Sequence, residues 1–337
     1  MTRIAFVSTA HIHTKGFIDA FTSGDADGTV HVVWDDVPDR GRRYAEQAGC
    51  DFVGELNRVL DDAAIDAFVI CAENTRHLPL LERVLPIGKP VFCEKPLATS
   101  VDDVVAIARL RNKHATPLVS GYFLPFSAMM QSAAAAIASG QLGKVTHLTY
   151  RNAHHAAYGR WFDDDDLKWF TDPELAGGGA LMDMGTHAVH ALRTLGGPVE
   201  SVWATTANVT GEYPEVDDYG MIQMRFASGV IGRAEAGWCF TGGFRGLEAV
   251  GSEATLLETR DGIIVHKPQV DPSPLAVDES AAQPTRMQRL VAIANGELSA
   301  EAQQADLDAS LDAVAIMDAA YRSAASGSWE SVAAVTS

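Results

Sequence analysis

The stretch Val91-Phe92-Cys93-Glu94-Lys95-Pro96 joins a short apolar run to a charged pair that a proline closes. Apolar residues of strand character followed at once by Glu-Lys-Pro are typical of the carboxyl end of a buried parallel strand, the edge where open α/β sheets bind ligands. A lysine held in such a crevice is partly desolvated, which suits it to act on a hydroxyl or a carbonyl. A surface Glu-Lys pair in a turn is the alternative, and the stretch alone does not decide between the two.

The first 121 residues alternate short apolar runs with helical patterns. The pattern predicts strands at Ile4–Val7, Val30–Trp34, Ala67–Cys71, Val91–Cys93 and Pro117–Ser120. It predicts helices at His13–Phe21, Arg42–Ala48, Leu78–Leu85 and Val101–Lys113. Strands and helices at this spacing form βαβ units, so the predicted fold class is α/β, with a Rossmann-like doubly wound parallel sheet at the amino end.

The turn after the first predicted strand stands where dinucleotide folds carry a glycine-rich loop. The spacing of that loop survives, with Ser8, Ala10 and His13 at its glycine positions, but none of the three is glycine. A positive φ or a close approach of pyrophosphate is harder without glycine. The next helix can still offer its N–H groups and its dipole to a phosphate. A sheet that binds no nucleotide is the alternative.

Asp35 follows the second predicted strand at about the distance from the turn expected of a ribose-binding acid, roughly 20 residues or somewhat more. An acid there pairs with a free 2′-hydroxyl and repels a 2′-phosphate, which favours NAD over NADP. NADP remains a possible cofactor, because three arginines lie close to this position in sequence: Arg40, Arg42 and Arg43.

Composition and residue spacing argue against several kinds of partner, against a membrane span and against a metal site. The 337 residues carry a formal net charge of −18, which argues against nucleic acid and anionic membrane surfaces as partners. No apolar run approaches the length of a membrane span, and the first residues enter a strand without a secretory signal, so we expect a cytoplasmic protein. The four cysteines have no C-x-x-C spacing, and no metal site is predicted. We expect the acidic run Asp163–Asp166 to be a solvated loop rather than a hard-cation site.

Four further motifs follow in order along the chain. They are Asn74–His77 with Gly88–Ala98 (GKPVFCEKPLA), Gly121-Tyr122 with Gly140–Val145, Asp172–His187 (DPELAGGGALMDMGTH), and Ala319–Gly327. Together they resemble the glucose–fructose oxidoreductase and inositol dehydrogenase family, Gfo/Idh/MocA, over nearly the whole chain. The glycine-free first turn departs from the family pattern.

The resemblance implies a dinucleotide-binding domain at residues 1–121 and a substrate-binding and oligomerisation domain of α+β class at 122–337. Strands are predicted at Lys144–Tyr150, Val199–Val209, Gly220–Phe226, Val230–Ala236, Gly246–Val250 and Ala254–Glu258. Helical crossovers are missing between most of them, so the sheet is predicted to be large, open and mostly antiparallel. Residues 267–285 are predicted to be a loop and Ala305–Ala324 a helix. In the family such a sheet often forms a subunit interface, which implies a homodimer or a homotetramer.

Asp183 and His187 are four residues apart and would share one face of a helix. Oxidation of an alcohol needs a base for the hydroxyl proton, and imidazole suits neutral pH. The aspartate could orient that ring or bind a neighbouring hydroxyl, and the Lys95 ammonium would stabilise the developing alkoxide. In the family the E-K-P lysine and the D-x-x-x-H pair play these parts, and Lys95, Asp183 and His187 match them.

The remaining expected contacts surround these three residues. The predicted cofactor contacts are Ser8, Ala10, Ile12, His13, Asp35, Ala72, Asn74, His77, Glu94 and Lys95. The predicted substrate contacts are Lys95, His154, Tyr158, Trp161, Asp183 and His187, where aromatic faces with clustered donors suit a sugar or a cyclic polyol. Packing at the sheet edge is the alternative for the aromatic residues. Residues 121–126 contain no arginine, which disfavours a phosphorylated or carboxylated substrate.

His190 occupies a position where family members commonly carry aspartate. Asp183, His187 and His190 on one helical face would also suit a metal, but we favour a substituted core residue or one that supports the site from behind.

The sequence therefore predicts an oxidoreductase that uses NAD, with NADP possible, on a secondary hydroxyl of a sugar, glycoside or inositol-like polyol. One alternative is an enzyme that cleaves glycosides through transient oxidation by bound NAD. A second is a non-catalytic sensor of nucleotide or sugar, although a sensor has no need for the Lys95, Asp183 and His187 set.

Overall fold

The computed structural model describes residues 1–335, apart from the side chains of residues 244 and 245. A six-stranded parallel sheet occupies the amino-terminal third, in the order β3-β2-β1-β4-β5-β6. Its strands are β1 (Thr2–Thr9), β2 (Gly28–Trp34), β3 (Asp51–Phe52), β4 (Ala67–Cys71), β5 (Val91–Cys93) and β6 (Leu118–Ser120). Every residue of β4 and β5 is buried, because helices cover both faces of the sheet.

The helices of this first part are α1 (Thr14–Thr22), α2 (Pro38–Ala48), α3 (Leu56–Leu60), α4 (His77–Val84) and α5 (Val101–His114). Helix α5 begins at a capped end, since the Ser100 hydroxyl accepts the N–H of Asp103. The predicted doubly wound sheet is confirmed, while β3 and α3 went unpredicted.

The second part of the chain forms a nine-stranded sheet in the order β14-β13-β12-β11-β7-β10-β9-β8-β15. Its strands are β7 (Val145–Ala153), β8 (Val199–Ala207), β9 (Tyr219–Phe226), β10 (Ile231–Gly237), β11 (Phe244–Gly251), β12 (Thr255–Thr259), β13 (Gly262–Lys267), β14 (Val270–Pro274) and β15 (Glu330–Ser331). The β7–β10 pair is parallel, and the other pairs described are antiparallel. The predicted open, mostly antiparallel sheet is confirmed.

The helices of the second part are α6 (Ala128–Ala138), α7 (Pro173–Ala176), α8 (Thr186–Gly196), α9 (Arg286–Ala294) and α10 (Ala300–Ser326). Helix α8 packs on β7 and β10, whereas α9 returns to pack on α1, β4 and β5 of the first sheet. Helix α10 contacts elements of both sheets. Strands β1–β6 and β7–β15 thus lie on either side of residue 121, but α9 and part of α10 complete the core of the first sheet.

Two local predictions are wrong. The segment 267–285 is not a continuous loop, because β14 pairs with β13 and a single helical turn covers Glu279–Ala281. Strand β14 is exposed throughout, so it lacks the apolar alternation that marks a strand. Residues Leu181–Gly185 form a π-helical turn ahead of α8 instead of its first α-helical turn. Among residues 1–335, no helix combines the length and apolarity needed to cross a bilayer.

Candidate active site

Lys95 lies immediately after β5, at the carboxyl edge of the first sheet, and is 2% exposed. Its Nζ donates to Oδ1 of Asp183 at 2.7 Å and to the main-chain oxygen of Asp183 at 3.1 Å. An ammonium has three N–H donors, so one is left for a ligand. The ammonium is therefore fixed in place while keeping a donor available.

Asp183 is held in the π-helical turn by contacts on both sides. Its Oδ2 accepts the indole N–H of Trp238 at 3.0 Å. Burial opposes ionisation of Asp183, but the adjacent Lys95 charge and these hydrogen bonds bring its pKa below the ordinary value. Of the glycines that precede Asp183, Gly179 has no room for a side chain, because a Cβ there would lie 1.9 Å from the main-chain oxygen of Asp217. Trp238 comes from the end of β10, and nothing in the sequence pairs it with Asp183.

His187 lies in the first turn of α8 and is 5% exposed. Tyr122 and Phe123 pack against its ring, with centroids at 5.8 and 5.3 Å. Its Nδ1 has no hydrogen-bond partner among the described residues, and Asp183 directs its two oxygens to Lys95 and Trp238. Of the two predicted roles for Asp183, orienting the His187 ring is therefore not the one this structure shows. Burial and the Lys95 charge lower the pKa of His187 well below 6.5, so the imidazole is neutral at physiological pH.

One cleft of about 220 Å³ between the two sheets is lined by Lys95, Asp183 and His187. His154 and Trp161, also on its wall, stack with centroids 4.7 Å apart. The Ala156 N–H donates to Nδ1 of His154, which places the ring proton of neutral His154 on Nε2. The structure thus brings together all the predicted substrate contacts except Tyr158, which is 52% exposed and outside the cleft wall. A substrate contact by Tyr158 stays a prediction.

Asn152, which follows the first predicted strand of the second domain as expected of a hydroxyl-binding residue, also lines the cleft and donates to the Met184 carbonyl. The cleft further contains residues that the sequence did not single out as contacts. The ring of Phe123 packs beneath the Arg286 guanidinium, whose carbon lies 4.0 Å from the ring centroid. Arg286 begins α9, far along the chain, and also lines a neighbouring cavity of about 410 Å³ between α1 and α9. No sequence pattern signals that α9 reaches this edge.

The glycine-free turn adopts the conformation expected to be difficult without glycine. Ser8 has a φ of +70°, and the pairing of β1 with β4 shifts register between Val7 and Thr9. Ala10 is buried, and its carbonyl accepts the Trp169 indole N–H at 3.0 Å. Ile12 is 38% exposed, and with His13 it lines both cavities. Ile12 and His13 are thus the side chains of this turn that a ligand in the cleft can reach.

Asp35 is buried beneath this turn. Its carboxylate accepts the N–H and the hydroxyl of Thr9 at 2.7 and 2.6 Å and two N–H groups of Arg40 at 3.0 and 2.8 Å. It also accepts the Val37 N–H. With 1% exposure, Asp35 anchors the turn, and these internal contacts use its carboxylate. Its ribose contact stays a prediction, and the more exposed acid at this strand end is Asp36, which pairs with Arg76 at 2.7 Å.

The other predicted cofactor contacts lie just below the surface. Ala72 and Asn74 are buried, and the Asn74 amide N–H donates to the Ala176 carbonyl. His77 is fully buried with its ring nitrogens 2.8 and 3.2 Å from the Pro96 and Ala72 carbonyls. Its contact with a cofactor stays a prediction, and in this structure its ring supports the backbone at Ala72 and Pro96.

Glu94 is also fully buried. Its Oε1 lies 2.8 Å from Nδ1 of His13, and its Oε2 accepts the Lys95 N–H at 2.6 Å. Burial opposes its ionisation, but the two neighbouring histidines and Lys95 bring its pKa well below the ordinary value. Like His77, Glu94 lies beneath the cleft and supports the backbone at its wall.

His190 is a core residue. Its ring stacks on Tyr122 with centroids 4.0 Å apart, and burial lowers its pKa to about 3. It forms no metal-ligand group with Asp183 and His187 in the part of the chain the structure describes.

Comparison with known proteins agrees with this architecture. Residues 2–122 match the model of the oxidoreductase family with an NAD-binding Rossmann fold, and residues 130–257 match the Gfo/Idh/MocA C-terminal domain. The D-xylose 1-dehydrogenase (NADP(+)) 2 of Haloferax volcanii is 25% identical, over 95% of this chain and 97% of the relative. The inositol 2-dehydrogenase of Rhizobium meliloti is 30% identical over 41% of this chain and 40% of its own.

A solved levoglucosan dehydrogenase in complex with NADH and levoglucosan superposes with a TM-score of 0.83 at 20% identity. The match covers 99% of this chain and all of that one, which shows a shared fold. The two family models together cover most of the chain, in the order the motifs predict. The chain belongs to the Gfo/Idh/MocA family of NAD(P)-binding oxidoreductases.

Proposed function

We propose that this protein oxidises a secondary hydroxyl of a sugar, glycoside or inositol-like polyol with NAD(P), or reduces the corresponding ketone. One observation carries the proposal. An ammonium (Lys95), an ionised carboxylate (Asp183) and a neutral imidazole (His187) meet on the wall of one cleft at the carboxyl edge of the dinucleotide-type sheet. Open parallel sheets bind nucleotides at this edge.

The residues at this edge fit a dinucleotide. Ile12 presents an apolar side chain to the cleft. Two polar atoms at neighbouring strand ends, Oγ of Ser8 and Oδ1 of Asn74, are buried and have no partner in the part of the chain that the structure describes. We infer that the turn from Ser8 to His13 and the backbone of Ala72 and Asn74 hold the cofactor. A bound nicotinamide would supply the hydride acceptor.

The acid–base roles follow from charge and geometry. Neutral His187 can take the proton of the substrate hydroxyl, since its lowered pKa leaves the ring uncharged. Lys95 directs its remaining N–H donor and its charge at the same oxygen, which stabilises the alkoxide that develops as the hydride leaves. Asp183 holds Lys95, and its spare lone pairs can accept a neighbouring hydroxyl. The stacked pair of His154 and Trp161 offers an apolar face beside one N–H donor, which suits a sugar ring.

We further propose a homodimer or homotetramer built on the outer face of the second sheet. A cavity of about 450 Å³ on this face is lined by Met221 and Ile231 among polar neighbours, and the nearby Leu257 is 37% exposed. Light scattering coupled to gel filtration tests this. A cytoplasmic location stays an expectation.

Calorimetric titration with NAD⁺ and NADP⁺ in the absence of substrate is the first test, followed by a panel of sugars and polyols. We expect Lys95→Met and His187→Asn to lose turnover, with Lys89→Met as the control, and His187→Asn to keep cofactor binding. If neither nucleotide binds, the sensor alternative replaces the dehydrogenase. Aglycone release without net NADH would instead identify glycoside cleavage.

A further inference from the structure

His11, His13 and Glu94 form a cluster that the proposed chemistry does not use. Their potential ligand atoms all lie within 4.8 Å of one another, and no other group of three such residues was found within the described part of the chain. Oε1 of Glu94 lies 2.8 Å from Nδ1 of His13 and 4.0 Å from Nδ1 of His11. Two imidazoles and a carboxylate therefore converge on one point beneath the first turn.

The surroundings leave this cluster partly unsatisfied. Nδ1 of His11 accepts the His13 N–H at 3.2 Å, and its buried Nε2 has no hydrogen-bond partner within residues 1–335 as described. His11 itself is 1% exposed and packs against the stacked rings of Trp169 and Phe170. A buried imidazole that makes one long hydrogen bond is available to a ligand at little cost.

One oxygen of the Glu94 carboxylate holds the side chain in position, and the other oxygen faces the histidines. Oε2 of Glu94 accepts the Lys95 N–H at 2.6 Å. A Cβ at residue 121 would lie 2.3 Å from this oxygen, so Gly121 provides the space for it. Oε1 is consequently aimed at His13 and His11 and has lone pairs to spare.

We propose that His11, His13 and Glu94 bind a divalent transition-metal ion of the Zn²⁺ class. Imidazole nitrogens favour zinc, cobalt, nickel and copper over magnesium and calcium. Metal–nitrogen bonds of about 2.0–2.1 Å require ligand atoms somewhat more than 3 Å apart, so the observed separations need only small ring shifts. The ion replaces the proton shared by Nδ1 of His13 and Oε1 of Glu94.

The site is reachable and leaves an open coordination position. The His13 side chain is 31% exposed and borders both the cleft and the cavity between α1 and α9. Three protein ligands with a fourth position open to solvent is the arrangement of an exchangeable zinc site. If the proposed function holds, the ion occupies the turn that a dinucleotide must approach, and it competes with the cofactor.

Metal-free protein, dialysed against a chelator, is titrated with Co²⁺ and Zn²⁺ in the absence of any nucleotide. We expect one Co²⁺ with visible d–d absorption, displaced by Zn²⁺. His13→Ala and Glu94→Gln should each weaken binding at least roughly tenfold, while His155→Ala, at an exposed histidine outside the cluster, should not. Circular dichroism of each variant checks folding, and His13→Ala serves if Glu94→Gln fails to fold.

Unchanged binding in folded His13→Ala, or no stoichiometric binding by the wild type, overturns the proposal. Because the readout needs neither cofactor nor turnover, its failure is separate from failure of the dehydrogenase assignment.

Discussion

Nζ of Lys95 donates to Oδ1 of Asp183 across 2.7 Å, and this bond joins the carboxyl edge of the first sheet to the turn that leads into α8 on the second. Both side chains are largely buried, so the pair is strongly coupled and poorly screened. Any change that moves one sheet relative to the other alters this pair. The arrangement ties the position of the ammonium to the packing of both parts of the chain.

Trp238→Phe should lower turnover by releasing Asp183. The substitution keeps an aromatic ring in a fully buried position but removes the N–H that reaches Oδ2 at 3.0 Å. A hydrogen bond to a charged group contributes about 1.5–3 kcal/mol, so we expect a lower free energy of unfolding and a lower kcat. Affinity for the cofactor should stay unchanged. Trp203→Phe, at an exposed indole that donates to the Gly327 carbonyl, is the matched control.

That result would identify Trp238 as a positioning residue if kcat falls while KM and cofactor affinity hold. A variant with wild-type kcat would show that Lys95 alone fixes Asp183.

His187→Asn should reduce kcat by roughly 10²–10⁴-fold, the contribution typical of a positioned general base. Burial lowers the pKa of His187 well below 6.5, so its neutral, proton-accepting form prevails down to acidic pH. As pH falls through that lowered pKa, the ring becomes charged and oxidation slows. The pH profile of wild-type kcat/KM should therefore be unaffected by this group at neutrality, with its acid limb below pH 6.5. An acid limb above that value that vanishes in His187→Asn would contradict the assignment.

The parts of the fold that sequence predicts are those with strong apolar periodicity. Continuous apolar runs mark β4 and β5 because both faces of these strands are covered. Strand β3 has two residues and β14 is exposed along its length, so neither carries such a pattern. The π-helical turn depends on how residues 181–185 dock on Asp217, which spacing along the chain does not encode.

The residues of the candidate site also fall into two groups, those that a local sequence motif marks and those that long-range packing brings in. Local motifs mark Lys95, Asp183 and His187, whose closeness in space follows from the order of the motifs. The Trp238 contact and the arrival of Arg286 depend on long-range packing, and no motif marks them. Asp35 shows the limit most clearly: its position in sequence is that of a ribose acid, but burial and the Arg40 pair use its carboxylate internally.

Ser8→Gly should stabilise the protein. Ser8 has a φ of +70° with a side chain, which costs about 1–2 kcal/mol. Glycine removes that cost but adds roughly 0.5–1 kcal/mol of backbone entropy loss on folding, so we expect a net gain of up to about 1.5 kcal/mol. Urea unfolding measures it, with Ser8→Ala as the control because alanine keeps the strain. Equal stability of the glycine and alanine variants would show that this backbone is unstrained.

The choice between NAD and NADP should respond to Asp36 and not to Asp35. Asp35→Asn removes the anion that pairs with Arg40, whose side chain is 5% exposed, and breaking such a buried pair costs about 3–5 kcal/mol. We expect that variant to lose stability with little change in the ratio of NAD to NADP affinity. Asp36→Asn keeps the buried pair and removes a half-exposed negative charge beside Arg76. Arg76 then keeps Glu73, at 3.0 Å, as its remaining anionic partner and has more positive charge to offer a 2′-phosphate, so the ratio should shift toward NADP.

Calorimetry with both nucleotides measures the ratio, and Asp39→Asn, an exposed acid paired with Arg42 on the same helix, is the control. If a folded Asp35→Asn variant changes the ratio of NAD to NADP affinity and Asp36→Asn does not, then Asp35 is the residue that contacts the ribose. That outcome requires Asp35 to exchange the Arg40 and Thr9 contacts for the ligand, because its carboxylate makes all of them at once. The turn at Ser8–Thr9 would then have to move on cofactor binding, whereas selection by Asp36 needs only a side-chain rotation at the surface.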